Sequence, residues 1–160
     1  MSRFVVIGGG HAAGQAVASL RQDGFDGEID VVGDEPHLPY QRPPLSKQYL
    51  SGEHGVEKVY LRAATFYNER KIKLHLGVRA QRVDPKAHTV SLSTGETLNY
   101  DKLLLATGSR VRRLNIQGSD LKGIHYLRTL ADVDAIRAEF APGKRITIAG
   151  GGYVGLEVAS

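Results

Sequence analysis

The sequence of 160 residues contains no cysteine. A disulfide framework, a cysteine-ligated zinc site, a thiol nucleophile and an iron–sulfur cluster ligated by this chain are therefore excluded. The sequence also lacks the run of about 18 apolar residues that a membrane-spanning helix needs. The apolar run that begins at Phe4 resembles the core of a signal peptide, but glycines and His11 interrupt it. We therefore expect a cytoplasmic protein with no membrane partner.

The composition is that of a soluble globular protein. Hydrophobic residues make up 41% and charged residues 24%, and 21 Lys and Arg against 17 Asp and Glu give a net charge of +4. Because the charges are scattered along the chain, we expect no nucleic-acid partner. The six histidines show no paired metal-ligand spacing, so no metal site is expected.

The first forty residues have the pattern of a βαβ unit. Phe4–Ile7 is a β-branched run followed by glycines, which is typical of a buried parallel strand. Ala12–Arg21 carries apolar residues at helical spacing, and Ile29–Val32 reads as the next strand.

Composition and periodicity predict the remaining elements. These are a short helix capped by Ser46, a helix over Ala63–Arg70, a strand over Lys71–Leu76, an antiparallel meander over Val78–Val83, Thr89–Leu92 and Leu98–Tyr100, a buried strand over Lys102–Gly108, a helix over Asp132–Phe140 and a strand over Arg145–Ala149.

A glycine motif follows the first strand. Gly8, Gly10 and Ala13 fit the pattern G-x-G-x-x-G/A, in which the first position makes a tight turn and the second lets a pyrophosphate approach the backbone. Asp34 follows the second strand, where a carboxylate can accept hydrogen bonds from ribose hydroxyls. A purely structural turn is the alternative, but the strand, helix, second strand and acid in register favour a dinucleotide site.

A second copy of the motif lies near the end of the sequence. Gly150, Gly152 and Gly155 follow the predicted strand Arg145–Ala149 and match the pattern in full. Two such motifs imply two dinucleotides, and hence hydride transfer between a nicotinamide and a flavin. Because the second copy stops soon after its helix begins, we expect the chain to be a piece of a longer protein and the isolated piece to be inactive.

Several segments together resemble the FAD-dependent ferredoxin reductases of bacterial oxygenase systems, within the pyridine nucleotide-disulfide oxidoreductase superfamily. Arg42–Lys47, with the sequence Arg-Pro-Pro-Leu-Ser-Lys, is the most specific of them. The segments that carry the resemblance are Ile7–Gly14, Val32–Lys47, Leu105–Gly108, Tyr126–Thr129 and Gly150–Glu157.

The resemblance implies roles for individual residues. Contacts to the FAD pyrophosphate and ribose fall on Gly10, His11, Ala12, Ala13, Gly14, Asp34 and Glu35. Flavin or adenine contacts fall on Arg42, Lys47, Ala80 and Arg128, and Glu157 matches the acid that pairs with the lysine. The expected cofactor-binding set is completed by Gly8, Gly108, Gly150, Gly152, Tyr153, Val154 and Gly155. Lys47 and Glu157 are the expected catalytic residues, the alternatives being a solvated lysine and an acid on a helix surface.

The absence of cysteine separates this chain from relatives that relay electrons through thiols. The electrons must then pass from the flavin to an outside acceptor, and the resemblance implies a small iron–sulfur protein that serves an oxygenase. The cluster of Arg110, Arg112 and Arg113 fits either a solvated loop or a docking patch for that partner. An apoptosis-inducing-type flavoprotein, a monodehydroascorbate-reductase-like enzyme and the flavin domain of a nitrite reductase remain alternatives.

The expected architecture is α/β. Residues 1–109 would form the first segment of a Rossmann-like FAD-binding domain with a parallel sheet and an antiparallel meander. Residues 110–160 would form a connection and the start of a second Rossmann-like domain, which binds NAD(P)H.

Overall fold

A computed structural model describes residues 2–160. Contacts divide the chain into two units, the first formed by the chain up to Gln41 together with Tyr60–Gly108, and the second by Arg42–Val59 together with Ser109–Ser160. The division after Gly108 lies one residue from the boundary expected from the sequence, while the segment 42–59 groups with the second unit. The assignment of FAD and NAD(P)H to the two parts stays a prediction.

The described residues form two sheets and five helices. The strands are β1 (Arg3–Ile7), β2 (Glu28–Gly33), β3 (Ile72–Leu76), β4 (Ala80–Asp84), β5 (Thr89–Leu92), β6 (Thr97–Asn99) and β7 (Lys102–Leu105). The α-helices are α1 (His11–Gln22), α2 (Gln48–Ser51), α3 (Ala64–Glu69), α4 (Leu130–Glu139) and α5 (Tyr153–Ala159), and two 3-10 turns cover Pro43–Ser46 and Val56–Lys58.

The first unit is built on a parallel sheet with the strand order β3-β2-β1-β7. Val5 in β1 lies opposite Asp30 in β2 and Leu103 in β7. The β-branched residues of β1 and β2 are buried, as the unbroken apolar runs predict. The predicted βαβ unit is thereby confirmed.

The parallel sheet is covered on both faces. Val6 and Val31 face a core completed by Ala13 and Val17 of α1 and by Tyr67 of α3. Val5, Ile7 and Val32 form a second core with Val90, Leu92 and Leu98 of the antiparallel sheet β4-β5-β6. The predicted meander is therefore confirmed, and it covers the parallel sheet.

Two predicted strands differ from the structure. β7 ends at Leu105 rather than Gly108 and is less buried than expected, with Leu105 63% exposed, because it lies at the edge of the sheet. Arg145–Ala149 is not a strand, and Ile146 and Ile148 are exposed. No strand of the described residues pairs with this segment, and a strand forms only with a partner for its backbone groups.

The second unit packs α2 and α4 together around buried apolar side chains. Leu45, Leu50, Leu130 and Val133 are all buried. α4 begins two residues before the predicted Asp132, because Thr129 caps it: the Thr129 hydroxyl accepts from the Asp132 N–H, and the Asp132 carboxylate accepts from the Thr129 N–H.

The expected capping role of Ser46 is wrong. Ser46 ends the 3-10 turn Pro43–Ser46, Lys47 occupies the N-cap position of α2, and the Ser46 hydroxyl bonds elsewhere. Two consecutive prolines, whose fixed φ suits the start of a helical turn, make the chain begin a 3-10 turn at Pro43, before the predicted helix start at Ser46.

A pair of glycine substitutions tests how tightly the first unit packs at the end of β1. Gly8 has φ +128°, and a Cβ there would lie 2.1 Å from the Ala106 carbonyl oxygen. Gly24 has φ +86°, but no described heavy atom outside its chain neighbours would lie within 4 Å of its Cβ. Gly24→Ala should therefore cost about 1–2 kcal/mol of unfolding free energy, the backbone penalty alone. Gly8→Ala should cost on the order of 4 kcal/mol, because the clash adds to that penalty.

Urea unfolding followed by circular dichroism measures both changes, with Gly24→Ala as the control for the backbone term. Equal losses in the two variants would contradict the close contact at Gly8.

Candidate functional site

The first glycine turn lies between the carboxyl ends of two neighbouring strands. The Gly8 N–H donates to the Val32 carbonyl at 2.8 Å, and the Ala106 N–H donates to the Ile7 carbonyl at 2.7 Å. Gly9 and Gly33 also approach closely, since a Cβ on Gly33 would stand 3.1 Å from the Gly9 Cα. The turn at the end of β1 is thus held between β2 and β7.

The amino end of α1 has open backbone and carries no acidic side chain. Gly10 is the N-cap, with extended backbone at φ −95° and ψ −166°, and the first turn, His11–Gly14, contains no acidic residue. The N–H groups of the first turn have no partner within the helix, and the helix dipole adds partial positive charge there. A Cβ on Gly10 would have no heavy atom of the described residues within 4 Å beyond its chain neighbours. A phosphate can approach this backbone without displacing protein.

Ala13 and Gly14 serve packing inside the first unit. Ala13 is fully buried in the core between α1 and the sheet, as its place in the motif predicts. A Cβ on Gly14 would lie 2.8 Å from both the Leu61 Cδ1 and the Pro39 Cβ, so Gly14 lets the loop pack on α1. Direct contact of these two residues with a cofactor stays a prediction, whereas His11 and Ala12 are exposed at the helix end.

The two acids after β2 differ in environment. The Asp34 side chain is 61% exposed, and its Oδ2 lies 3.4 Å from the Arg79 Nη2. Glu35 instead accepts a hydrogen bond of 2.5 Å from the buried Tyr40 hydroxyl. Ala80 begins β4 and packs against the second core. Asp34 is therefore the more accessible of the two acids to a ligand, and its expected contact with ribose hydroxyls stays a prediction.

In the second unit, Lys47 and Glu157 form an ion pair. The Lys47 Nζ lies 2.6 Å from the Glu157 Oε1, with the two side chains 42% and 31% exposed. The Ser46 hydroxyl donates to Glu157 Oε2, so consecutive residues bind both oxygens of the carboxylate. The hydrogen bond from Lys47 first, and that from Ser46 second, hold the pKa of Glu157 below its ordinary value.

Arg42 and Arg128 also come together in the second unit. The Arg42 guanidinium donates to the Arg128 carbonyl oxygen. The Arg128 N–H donates to the Asp132 carboxylate at 3.0 Å, in the same cluster that caps α4. The two arginines expected at the flavin are thus fixed to each other and to α4.

The second glycine turn repeats the backbone geometry of the first. Gly150 has φ +114°, Gly152 is the N-cap, and α5 begins at Tyr153. A Cβ on Gly155 would lie 2.7 Å from the Gly150 carbonyl oxygen, so this copy requires glycine where the first copy carries Ala13. Tyr153 and Val154 are exposed. Gly108, in the segment that follows β7, has φ +69°.

Sequence reasoning missed three contributors to these arrangements. Ser46 binds Glu157, Arg79 lies beside Asp34, and Thr129 caps α4. Of these, only Thr129 had a local signal, namely a threonine three residues before an acid. The other two contacts join residues far apart in the chain.

No group of three or more His, Asp or Glu side chains in the described residues could hold a metal ion. None of the helices in residues 2–160 is both long and apolar enough to cross a membrane.

Comparison with protein-family models identifies the family. Residues 2–160 match the model described as pyridine nucleotide-disulphide oxidoreductase. The chain therefore belongs to the pyridine nucleotide-disulphide oxidoreductase family.

The relatives confirm the resemblance to ferredoxin reductases. The chain is 47% identical over 156 residues to a ferredoxin–NAD(P)(+) reductase from Sphingomonas sp, covering 98% of this chain and 38% of that protein. It is 43% identical over 157 residues to rhodocoxin reductase from Rhodococcus erythropolis, covering 98% and 37%. The chain thus spans less than half the length of these curated relatives.

Solved structures share the fold. The reductase in the covalent putidaredoxin reductase–putidaredoxin complex has a TM-score of 0.91 at 38% identity, covering 99% of this chain and 39% of that one. The ferredoxin reductase for the CYP199A2 system from Rhodopseudomonas palustris has a TM-score of 0.94 at 36% identity, with the same coverage. These likenesses confirm the expected Rossmann-type α/β fold.

Removing the Lys47 ammonium should change the titration of Glu157. Because Lys47 is the largest cause of the lowered pKa, Lys47→Met should raise the pKa of Glu157 toward its ordinary value. A carboxyl group whose pKa is lowered by folding stabilises the folded state above its unfolded-state pKa, and this contribution is lost as the pH falls through the folded-state pKa. In Lys47→Met this contribution should be smaller or absent, so the stability of the variant should be lower at neutral pH and should fall less on acidification than that of the wild type.

The side-chain carboxyl 13C shift of glutamate-labelled protein measures this pKa, with Glu157→Gln to assign the resonance. Lys144→Met is the matched control, because Lys144 lowers the pKa of Glu139 in the same way and should leave Glu157 unchanged. An unchanged pKa of Glu157 in Lys47→Met would contradict the ion pair.

Proposed function

We propose that the protein containing this chain is an NAD(P)H-dependent, FAD-containing ferredoxin reductase. It passes electrons from a nicotinamide through the flavin to a small iron–sulfur protein that serves an oxygenase. The observation that carries the proposal is the ion pair between Lys47 and Glu157, which occupy the two positions that the resemblance assigns to the catalytic pair. The names of the relatives, which are ferredoxin reductases, support the same reading.

The residues of the first unit fit the dinucleotide end of FAD. The open backbone at Gly10 and the amino end of α1 would hold the pyrophosphate, and the exposed Asp34 carboxylate would accept from ribose hydroxyls. Bound FAD would supply the redox chemistry, taking two electrons as hydride and releasing them singly. By resemblance, Arg42, Lys47, Ala80 and Arg128 would complete the FAD contacts.

Lys47 would provide a positive charge beside the flavin ring. An ammonium there stabilises the negative charge that accumulates when the flavin is reduced. Glu157 accepts from that ammonium at 2.6 Å and so limits the directions in which the flexible lysine side chain can point. The glycine turn at Gly150–Gly155 would accept the nicotinamide dinucleotide, as its repeat of the first turn's geometry suggests.

The proposed acceptor is a ferredoxin-type protein. This chain has no cysteine, so it supplies no thiol to take electrons from the flavin. The likeness to a reductase solved in complex with putidaredoxin supports an iron–sulfur partner. We also propose that the protein works in the cytoplasm, where a reduced nicotinamide is at hand.

The test is electron transfer by the whole protein that contains this chain. With NADH or NADPH as donor, it should reduce cytochrome c rapidly only when a ferredoxin from an oxygenase system is present. In a stopped-flow measurement, Lys47→Met should slow flavin reduction on the order of 10- to 100-fold, because a charge that stabilises the reduced state is lost. The FAD content should fall much less.

Lys144→Met, which removes an exposed lysine from an ion pair with Glu139, serves as the control and should match the wild type. Absence of ferredoxin-dependent turnover would refute the proposed function. Unchanged flavin reduction in Lys47→Met would refute the role of the lysine.

A further inference from the structure

Ser46 is a buried hydroxyl at the ion pair. The residue is 4% exposed, and its Oγ donates to Glu157 Oε2, across 111 residues of sequence. The hydroxyl has a single proton, and its other described acceptor, the Pro43 carbonyl, is farther away at 3.5 Å, so the proton is assigned to the closer Glu157 carboxylate, which can only accept. The neighbouring Lys47 takes the other oxygen.

The backbone around Ser46 fixes the position of this donor. Ser46 closes the 3-10 turn that begins at Pro43, and the Lys47 N–H donates to the Pro44 carbonyl at 3.0 Å. The Ser51 N–H donates to the Lys47 carbonyl at 2.9 Å, which starts α2. The hydroxyl is one bond from a Cβ held by this backbone, whereas the Lys47 ammonium ends a flexible chain of four carbons.

We propose that Ser46 is a positioning residue, which holds the Glu157 carboxylate so that its other oxygen faces the Lys47 ammonium. This inference rests on the proposed function for the role of Lys47 in flavin reduction. It extends that function because a neutral, buried side chain then determines how the charged pair is oriented.

The elements that carry Ser46 and Glu157 contain few other ionisable groups that could change the pKa of Glu157. In the sequence, the 3-10 turn Pro43–Ser46 contains no ionisable side chain, and α5 contains only Tyr153, which is 89% exposed, besides Glu157. The cation at the carboxylate is Lys47, and the hydrogen bonds from Lys47 and Ser46 are the largest causes of its lowered pKa. Loss of the Ser46 hydroxyl should therefore be visible directly in the titration of Glu157.

The experiment compares Ser46→Ala, Ser46→Thr and wild type in the whole protein. In Ser46→Ala, the pKa of Glu157, measured by the carboxyl 13C shift, should rise. The rate of flavin reduction by NAD(P)H should fall about two- to tenfold, as expected for the loss of one hydrogen bond. The acid limb of the pH–rate profile should move to higher pH, with little change in FAD content. Ser46→Thr, which keeps the hydroxyl, should restore both values.

A double-mutant cycle shows whether Ser46 acts through Glu157. Ser46→Ala should have no further effect on the reduction rate in a Glu157→Gln background, and this arm holds even if the threonine variant does not fold. Ser51→Ala is the matched control, because the Ser51 hydroxyl is exposed and its described hydrogen bonds are to backbone groups within three residues, the Gln48 carbonyl and the Glu53 N–H.

Two results would overturn the inference: a pKa of Glu157 that is unchanged in Ser46→Ala, or an equal rate loss with and without Glu157→Gln. If the wild-type flavin is not reduced by NAD(P)H at all, the proposed function fails. The pKa of Glu157 in Ser46→Ala still decides whether Ser46 holds the carboxylate.

Discussion

The absence of a side chain at Gly8 is the constraint on which the first unit depends. A Cβ there would overlap the Ala106 carbonyl, and the N–H of Gly8 is bonded to Val32. Only glycine lets the end of β1 lie between β2 and β7 and turn at φ +128°. The same turn starts α1 directly above the sheet, with its amino end and Gly10 open to an anion. Packing at Gly8 thereby leaves the backbone two residues later, at Gly10, open at the amino end of α1.

In the second unit, one short segment likewise supplies two contacts to the same residue. Two prolines set a 3-10 turn, and the residues that close it, Ser46 and Lys47, both bind Glu157. The rest of α2 is tied down separately: the Tyr49 hydroxyl donates to Asp134 of α4 at 2.9 Å. Lys47 therefore lies in a short segment that is restrained by the two prolines before it and by the hydrogen bond of Tyr49 after it. In such a segment the exposed lysine can keep one orientation even though half its side chain is in solvent.

Short-range patterns predicted most of the fold. The βαβ unit and the meander follow from local periodicity and turn residues, and the glycine motif located the turn at Gly8–Ala13. Strand order does not follow from local patterns, which is why β7 was expected to be buried and lies at an edge. The segment Arg145–Ala149 has the composition of a strand, but no strand of the described residues lies beside it. Composition alone therefore predicted a strand that does not form. Ser46 was predicted to cap a helix because serine favours that position. Its actual partner, Glu157, lies 111 residues away, and no local pattern indicates such a contact.

The measurement that tests the account most directly is the flavin content of a Gly10→Val variant of the whole protein. The Gly10 backbone is extended and a Cβ there would have no described heavy atom within 4 Å beyond its chain neighbours, so the variant should fold, with an unfolding free energy for the flavin-free protein within about 1 kcal/mol of wild type. The added side chain would occupy the space needed by the pyrophosphate, so the folded variant should purify colourless, without flavin absorbance. A folded, yellow Gly10→Val protein with normal flavin content would contradict the assignment of this turn as the dinucleotide site.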